Sequence, residues 1–279
     1  MKANCHAHAS YVSSQGRHLR LAFLLPVPDV PAPGFGKLTV NSYLIKAKEP
    51  ILIYAGMPIE EDFLEALWSL VDLEDLKWIF LSHDDGDHTG AMMEIIQAAP
   101  QARLVTQFVG LARLETAYQI PIGRVDIRNP GDTFTDGDRE FTIRRPPLFD
   151  SPATSAYFDT KTKVLFCADS FGAIIPDVAE LATDVPDSAF YEDFSIFNRL
   201  NHPWFALVDQ SKFEATVESI RRLEPDIIAG CHAPLAKGPR LEAHLQAMAN
   251  LPAQGPLDLP DQAALDGVLA AIQGGGDGH

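Results

Sequence analysis

Leu81-Ser82-His83-Asp84-Asp85-Gly86-Asp87-His88-Thr89-Gly90 decides how the rest of the chain is read. Four side chains able to hold a metal, His83, Asp85, Asp87 and His88, fall within six residues. The run before them, residues 76–81, is apolar and bulky and reads as a buried strand. After them, Thr89 is suited to cap a helix over residues 89–98, with Glu94 in its early turns and Pro100 to end it. The cluster therefore falls in a strand-to-helix loop at the carboxyl end of a strand, where open α/β sheets place their ligands. An acidic turn rich in Asp and Gly is the plain alternative. Two histidines at fixed offsets from two carboxylates favour metal binding over it.

Working outward, residues 37–45 and 50–54 form two β-rich runs across a short polar turn, an expected hairpin. Residues 59–71 carry Ile59, Phe63, Leu64, Leu67, Leu70 and Val71 at helical spacing. Further strands are expected at 103–105, 124–127, 140–143, 155–158, 164–168 and 226–230, the last being the final strand. Helices are expected at 107–118, 187–201, 209–223 and 240–249, and 131–137 reads as a turn-rich stretch. Strand runs in each half flanked by helices indicate an α/β protein built as an αββα sandwich, two mixed sheets with helices outside. Residues 1–36 read as an N-terminal arm and edge segment, 37–250 as the domain, and 251–279 as a C-terminal tail. In the arm, Cys5-His6-Ala7-His8 invites a metal reading, against which stands the usual looseness of chain termini.

Three downstream residues stand at strand ends as the first cluster does: Asp150, Asp169 and His232. Each alone is explained by a turn, a cap or a surface hydrogen bond. Together with the first cluster they place metal-capable side chains at one end of several successive strands. His202 and Cys231 are candidates for supporting the ligands, with a surface histidine and a small packed thiol as the alternatives. Tyr157 and Tyr191 are open to either pocket or core.

The composition bounds the partners. The 279 residues are 46% hydrophobic and carry a net charge of −16, which argues against nucleic acid or an anionic membrane as partner. Three cysteines are too few for a disulfide framework and suit a reducing cytoplasm. The apolar run 19–25 is stopped by Pro26 and Pro28, too short for a membrane span, and reads as an edge strand.

The pattern His83-x-Asp85-x-Asp87-His88 followed by Asp169 and His232 resembles the metallo-β-lactamase superfamily over roughly residues 37–250. Asp85 stands where the superfamily's zinc hydrolases carry a histidine, and a carboxylate there is similar to the flavodiiron and oxygen-binding diiron branch. Counting back from Asp169-Ser170-Phe171-Gly172, Asp150 falls where that branch has its third histidine. Tyr54-Ala55-Gly56 departs from the superfamily's Asp-x-Gly. The resemblance implies one metal on His83, Asp85 and Asp150, a second on Asp87, His88 and His232, and Asp169 bridging. Four carboxylates and no thiolate favour iron, with manganese and zinc as alternatives. It implies an oxygen-binding or O2- or NO-reducing oxidoreductase, taking O2, NO or peroxide. Electrons would come from a separate reductase, because no Gly-rich loop for a flavin is evident. A homodimer is implied by the resemblance alone. The alternative is a binuclear hydrolase of a small ester, thioester, lactone or phosphodiester, in which Asp87 orients the nucleophile. A third reading is a metal-occupied sensor that signals through a partner.

Overall fold

A computed structural model describes residues 12–14, 17–19, 21–24, 30–32, 36–57 and 61–274, with side chains described for residues 36–57 and 63–270. The Cys5-His6-Ala7-His8 stretch and the glycines beyond 274 lie outside the described residues. Two six-stranded mixed sheets form the body. The first contains β1 (Leu21–Leu24), β2 (Ser42–Ile45), β3 (Ile51–Ile53), β4 (Trp78–Phe80), β5 (Arg103–Thr106) and β6 (Val125–Ile127), in spatial order β6-β5-β4-β3-β2-β1. Strands β3 to β6 pair in parallel, and β1, β2 and β3 pair antiparallel. The second contains β7 (Thr133–Thr135), β8 (Glu140–Arg144), β9 (Ala156–Asp159), β10 (Val164–Phe166), β11 (Ile227–Ala229) and β12 (Ala236–Lys237), in sequence order across the sheet. Only β10 and β11 pair in parallel there.

Alternation along the strands builds four layers, because successive side chains leave opposite faces of a sheet. Tyr43, Ile45, Ile51, Ile53, Phe80 and Val105 point between the sheets. They meet Phe141, Ile143, Tyr157, Val164, Phe166 and Ile227 from the second sheet. The intervening Leu44, Leu52, Ile79 and Leu104 point outward onto Phe63 and Leu67 of α1 (Glu61–Leu70), Ile95 and Ile96 of α3 (Met92–Ala98) and Leu114 of α4 (Phe108–Leu114). On the far side, Phe158, Leu165 and Ile228 are covered by α5 (Asp187–Asn201), α6 (Gln210–Arg221) and α7 (Pro239–Asn250) through Phe194, Val217 and Met248. Strands apolar on both faces are what such a sandwich requires. Lys37 is stitched by two backbone hydrogen bonds to Ile175, tying the entry into the first sheet to the loop after β10.

Three local expectations are corrected. Thr89 does not cap a helix over 89–98: it ends a separate turn, α2 (Gly86–Thr89), and its Oγ1 donates to the Asp85 carbonyl. The helix resumes at Met92 after a break at Gly90 and Ala91. The turn-rich stretch 131–137 contains β7, and β12 follows the strand expected to be last. Residues past 251 include α8 (Gln262–Gly274). Among the described residues no helix is long and apolar enough to cross a membrane.

Candidate metal centre

The parallel strand β4 ends on the interior side of the first sheet, and Leu81, held by the Val105 carbonyl, delivers Ser82 and His83 into the gap between the sheets. The single turn α2 then rolls His88 inward and leaves Asp85 and Asp87 on the solvent side. Both imidazoles are buried, whereas half of the Asp85 side chain and about a quarter of Asp87 are exposed. Ser82 Oγ lies 3.0 Å from His83 Nδ1 and 3.1 Å from His88 Nδ1. A hydroxyl oxygen has two lone pairs. Donation from both Nδ1 atoms to it would leave both Nε2 atoms, which face inward, free to ligate. Asp84, between the ligand candidates, turns away to Arg113 Nε at 2.6 Å and Ser151 Oγ at 3.2 Å.

The second sheet supplies the other half. Asp150 follows β8, and its carboxylate accepts from Thr154 Oγ1 at 3.1 Å. Asp169 follows β10 and is buried, with Oδ2 accepting from Asn201 Nδ2 at 3.2 Å. The residues around it hold unusual backbone angles, Ala168 at φ 53° and Phe171 at φ 69°, a costly conformation for side chains with a Cβ. Tyr54 offsets that cost at Ala168: its hydroxyl accepts from the Ala168 N–H at 2.7 Å. The same ring stands edge-on to His88 at 4.9 Å. His232 follows β11 and donates from Nδ1 to the Thr39 carbonyl at 2.7 Å, which turns its Nε2 to the centre.

Nε2 of His88 sits 2.7 Å from Asp169 Oδ1, and Nε2 of His232 sits 3.3 Å from the same oxygen and 3.1 Å from Asp87 Oδ2. His83 Nε2 is 3.5, 3.8 and 3.9 Å from oxygens of Asp150, Asp85 and Asp169. Three groups of donor atoms result, each with all its atoms within 4.8 Å of one another: His83, Asp85 and Asp150; Asp87, His88, Cys231 and His232; and His83, His88 and Asp169. All seven residues picked from the sequence are thus brought together, and Asp169 lies among all three histidines.

The electrostatics match a cation site. Burial works against charge on Asp169, but His232, His88 and His83 outweigh it and hold the carboxyl well below its usual range. Burial likewise opposes charge on His88 and His232, and Cys231 with Asp169 raises both imidazoles well above theirs. Asp150 is lowered by His83 against its burial, while Asp85 is raised, chiefly by burial. The decisive mark is His83 Nε2, buried with no hydrogen-bond partner. Its three carboxylate neighbours stand too far off for hydrogen bonds. Two ligands each about 2.1 Å from one metal lie about 3–4 Å apart, the spacing seen here. The donor set fits a pair of metal ions.

Of the supporting candidates, His202 is buried and not a surface residue, with Nδ1 3.1 Å from the Asn198 carbonyl and Nε2 unpartnered. Burial lowers its imidazole. Cys231 is buried beside His88 and His232, which lower its thiol against the effect of burial. Tyr157 belongs to the core, where its hydroxyl donates to Leu81 O at 2.5 Å, and Tyr191 faces His244. Ser82, Tyr54, Thr39 and Asn201 escaped the sequence reading. Ser82 adjoins a ligand candidate, a usable signal, whereas Thr39 meets His232 across 193 positions.

A family model described as ODP family beta lactamase matches residues 38–233. The type A flavoprotein fprA of Rhodobacter capsulatus is 28% identical over 203 residues, covering 71% of this chain and 45% of that protein. The chain thus spans about half the length of such relatives. Among solved structures, the flavodiiron protein from Giardia intestinalis superposes with a TM-score of 0.75 at 18% identity, covering 88% of this chain and 61% of that one. A chain titled as the peroxy diiron species of the chemotaxis sensor ODP gives 0.66 at 16% identity, covering 87% and 95%. At these identities the structural likeness speaks for the fold.

Proposed function

The chain belongs to the ODP family of beta lactamases, and from that premise we propose that it holds two iron ions, with which it would bind O2 or NO. His83, Asp85 and Asp150 would hold one ion, Asp87, His88 and His232 the other, with Asp169 shared. The approach of three buried imidazoles to the buried Asp169 carboxylate carries this reading. Such a metal pair, when bound, would supply the electrons and the Lewis acidity that a small oxidant needs.

The protein's own part is to hold and orient. Ser82 and Thr39 keep three Nε2 lone pairs turned inward, and the Asn201 amide occupies the outer oxygen of Asp169. Half-exposed Asp85 marks the side open to solvent, through which a small ligand enters. The carboxylate at position 85, rather than a third imidazole in this loop, favours a hard, oxidisable ion. Because relatives of this chain are named flavoproteins, we assign the electrons for any reduction to a flavin-bearing reductase.

Elemental analysis of protein produced without added metal, then anaerobic reduction and exposure to O2, tests the reading. Close to two irons per chain and a new visible band on O2 addition are expected. Two zincs and a silent spectrum would overturn it in favour of metal-dependent hydrolysis.

A further inference from the structure

Cys231 stands outside the ligand set proposed above, yet it lies within that set's reach. Its Sγ shares one group of donor atoms with Asp87, His88 and His232, all within 4.8 Å of one another. The residue is fully buried, and the imidazoles of His88 and His232 are its neighbours in that group. Its backbone is pinned on both sides. The N–H donates to the Ala168 carbonyl at 2.9 Å, and the carbonyl accepts from the Asn41 N–H at 2.8 Å. Cys167, equally buried, supplies the contrast: its Sγ donates to the Ser170 carbonyl at 3.1 Å, and it joins no donor group among the described residues. Packing alone accounts for Cys167. Cys231 also packs in the core between the sheets, but its sulfur in addition lies within 4.8 Å of two ring nitrogens and a carboxylate oxygen.

We infer that Cys231 gives its sulfur to the metal held by Asp87, His88 and His232, an inference that rests on the metal-binding reading above. As the metal–sulfur bond forms, the S–H bond breaks and its proton leaves to solvent, with no change of oxidation state. Besides the shared Asp169, that position then offers one thiolate, two imidazoles and one carboxylate, whereas His83, Asp85 and Asp150 offer only nitrogen and oxygen. Thiolate is a soft donor and carboxylate a hard one. The two metal positions are therefore chemically unequal, and the one beside Cys231 accepts the softer ion.

Cobalt(II), loaded anaerobically into the whole chain, reports on sulfur directly. A bound thiolate gives a sulfur-to-cobalt charge-transfer band in the near ultraviolet and a sulfur scatterer at about 2.3 Å in X-ray absorption. Both signals are expected in the wild type and in a chain carrying Cys5→Ser and Cys167→Ser. Both are expected to vanish in Cys231→Ser while at least one cobalt remains bound. Two cobalts bound to the wild type without a sulfur signal overturn the inference and leave the metal pair standing. Signals that survive in Cys231→Ser overturn it too. A wild type that takes up no cobalt overturns the metal reading itself, and the inference with it. The wild-type spectrum decides the first outcome unaided, so a variant that fails to fold does not remove the test.

Discussion

Asp169 and Ser82 show how far single residues could be read. The ligand candidates were legible because four of them crowd into six positions and the rest stand at strand ends, both local signals. The groups that aim them were not, since Thr39 and Tyr54 reach His232 and the Asp169 loop from 193 and 114 positions away. Asp169 lies within 4 Å of all three imidazoles, at 2.7, 3.3 and 3.9 Å. Asp169→Ala is therefore expected to leave at most one metal per chain by elemental analysis. Two metals retained after that change would rule out its shared role. Ser82 touches no metal position itself, and its part is to orient His83 and His88. Ser82→Ala frees both rings to rotate, and metal affinity is expected to fall about 10–100-fold, the usual loss when a group supporting a ligand is removed. Competition with a chelator of known affinity measures it, and an unchanged affinity would show that packing alone orients the rings.

Elements were legible wherever an apolar run was long and both its faces were buried, as for Ile51–Ile53 and Val164–Phe166. Short or interrupted pieces were not. Thr133–Thr135 hides among turn residues because only Phe134 of the three is buried. The break between Thr89 and Met92 lacks a proline to announce it. The contact of α5 with α7 carries a prediction of its own. His244 of α7 is buried, stacks on Phe190 with centroids 4.9 Å apart, and has Nδ1 3.1 Å from the Tyr191 hydroxyl. Burial, aided by the charge of Arg240, holds its imidazole down to about 4, against an ordinary 6.5. The unfolded chain therefore binds a proton at this residue before the folded one does. The stability it contributes is complete above pH 6.5 and is lost as pH falls toward 4, to a limit of about 3 kcal/mol. Urea unfolding at pH 7 and pH 4.5 should show a smaller acid loss for His244→Phe than for the wild type. Equal losses would place the acid sensitivity elsewhere.

At the scale of the molecule, the sandwich was legible because both strand sets are apolar on two faces, and two packed sheets with helices outside satisfy that condition. The helix Gln262–Gly274 was obscured by the prolines before it and the glycines after it. The two sheets also differ in what they bring to the centre. His83, Asp85, Asp87 and His88 leave the first sheet through one loop, while Asp150, Asp169 and His232 leave the second through three. Without metal, the sheets are joined at this end by ion pairs between buried imidazoles and carboxylates, for which desolvation offsets much of the attraction. A bound cation replaces those pairs with bonds to both sheets, and it binds the folded chain only. At free metal 1,000 times the dissociation constant, such binding adds about 4 kcal/mol per site. For a domain of this size that corresponds to a rise in Tm on the order of 10 °C. Chelation should lower the Tm by that amount and readdition should restore it, while Asp169→Ala should respond weakly to either. If metal content falls to zero on chelation and the Tm stays where it was, the centre does not hold the two sheets together.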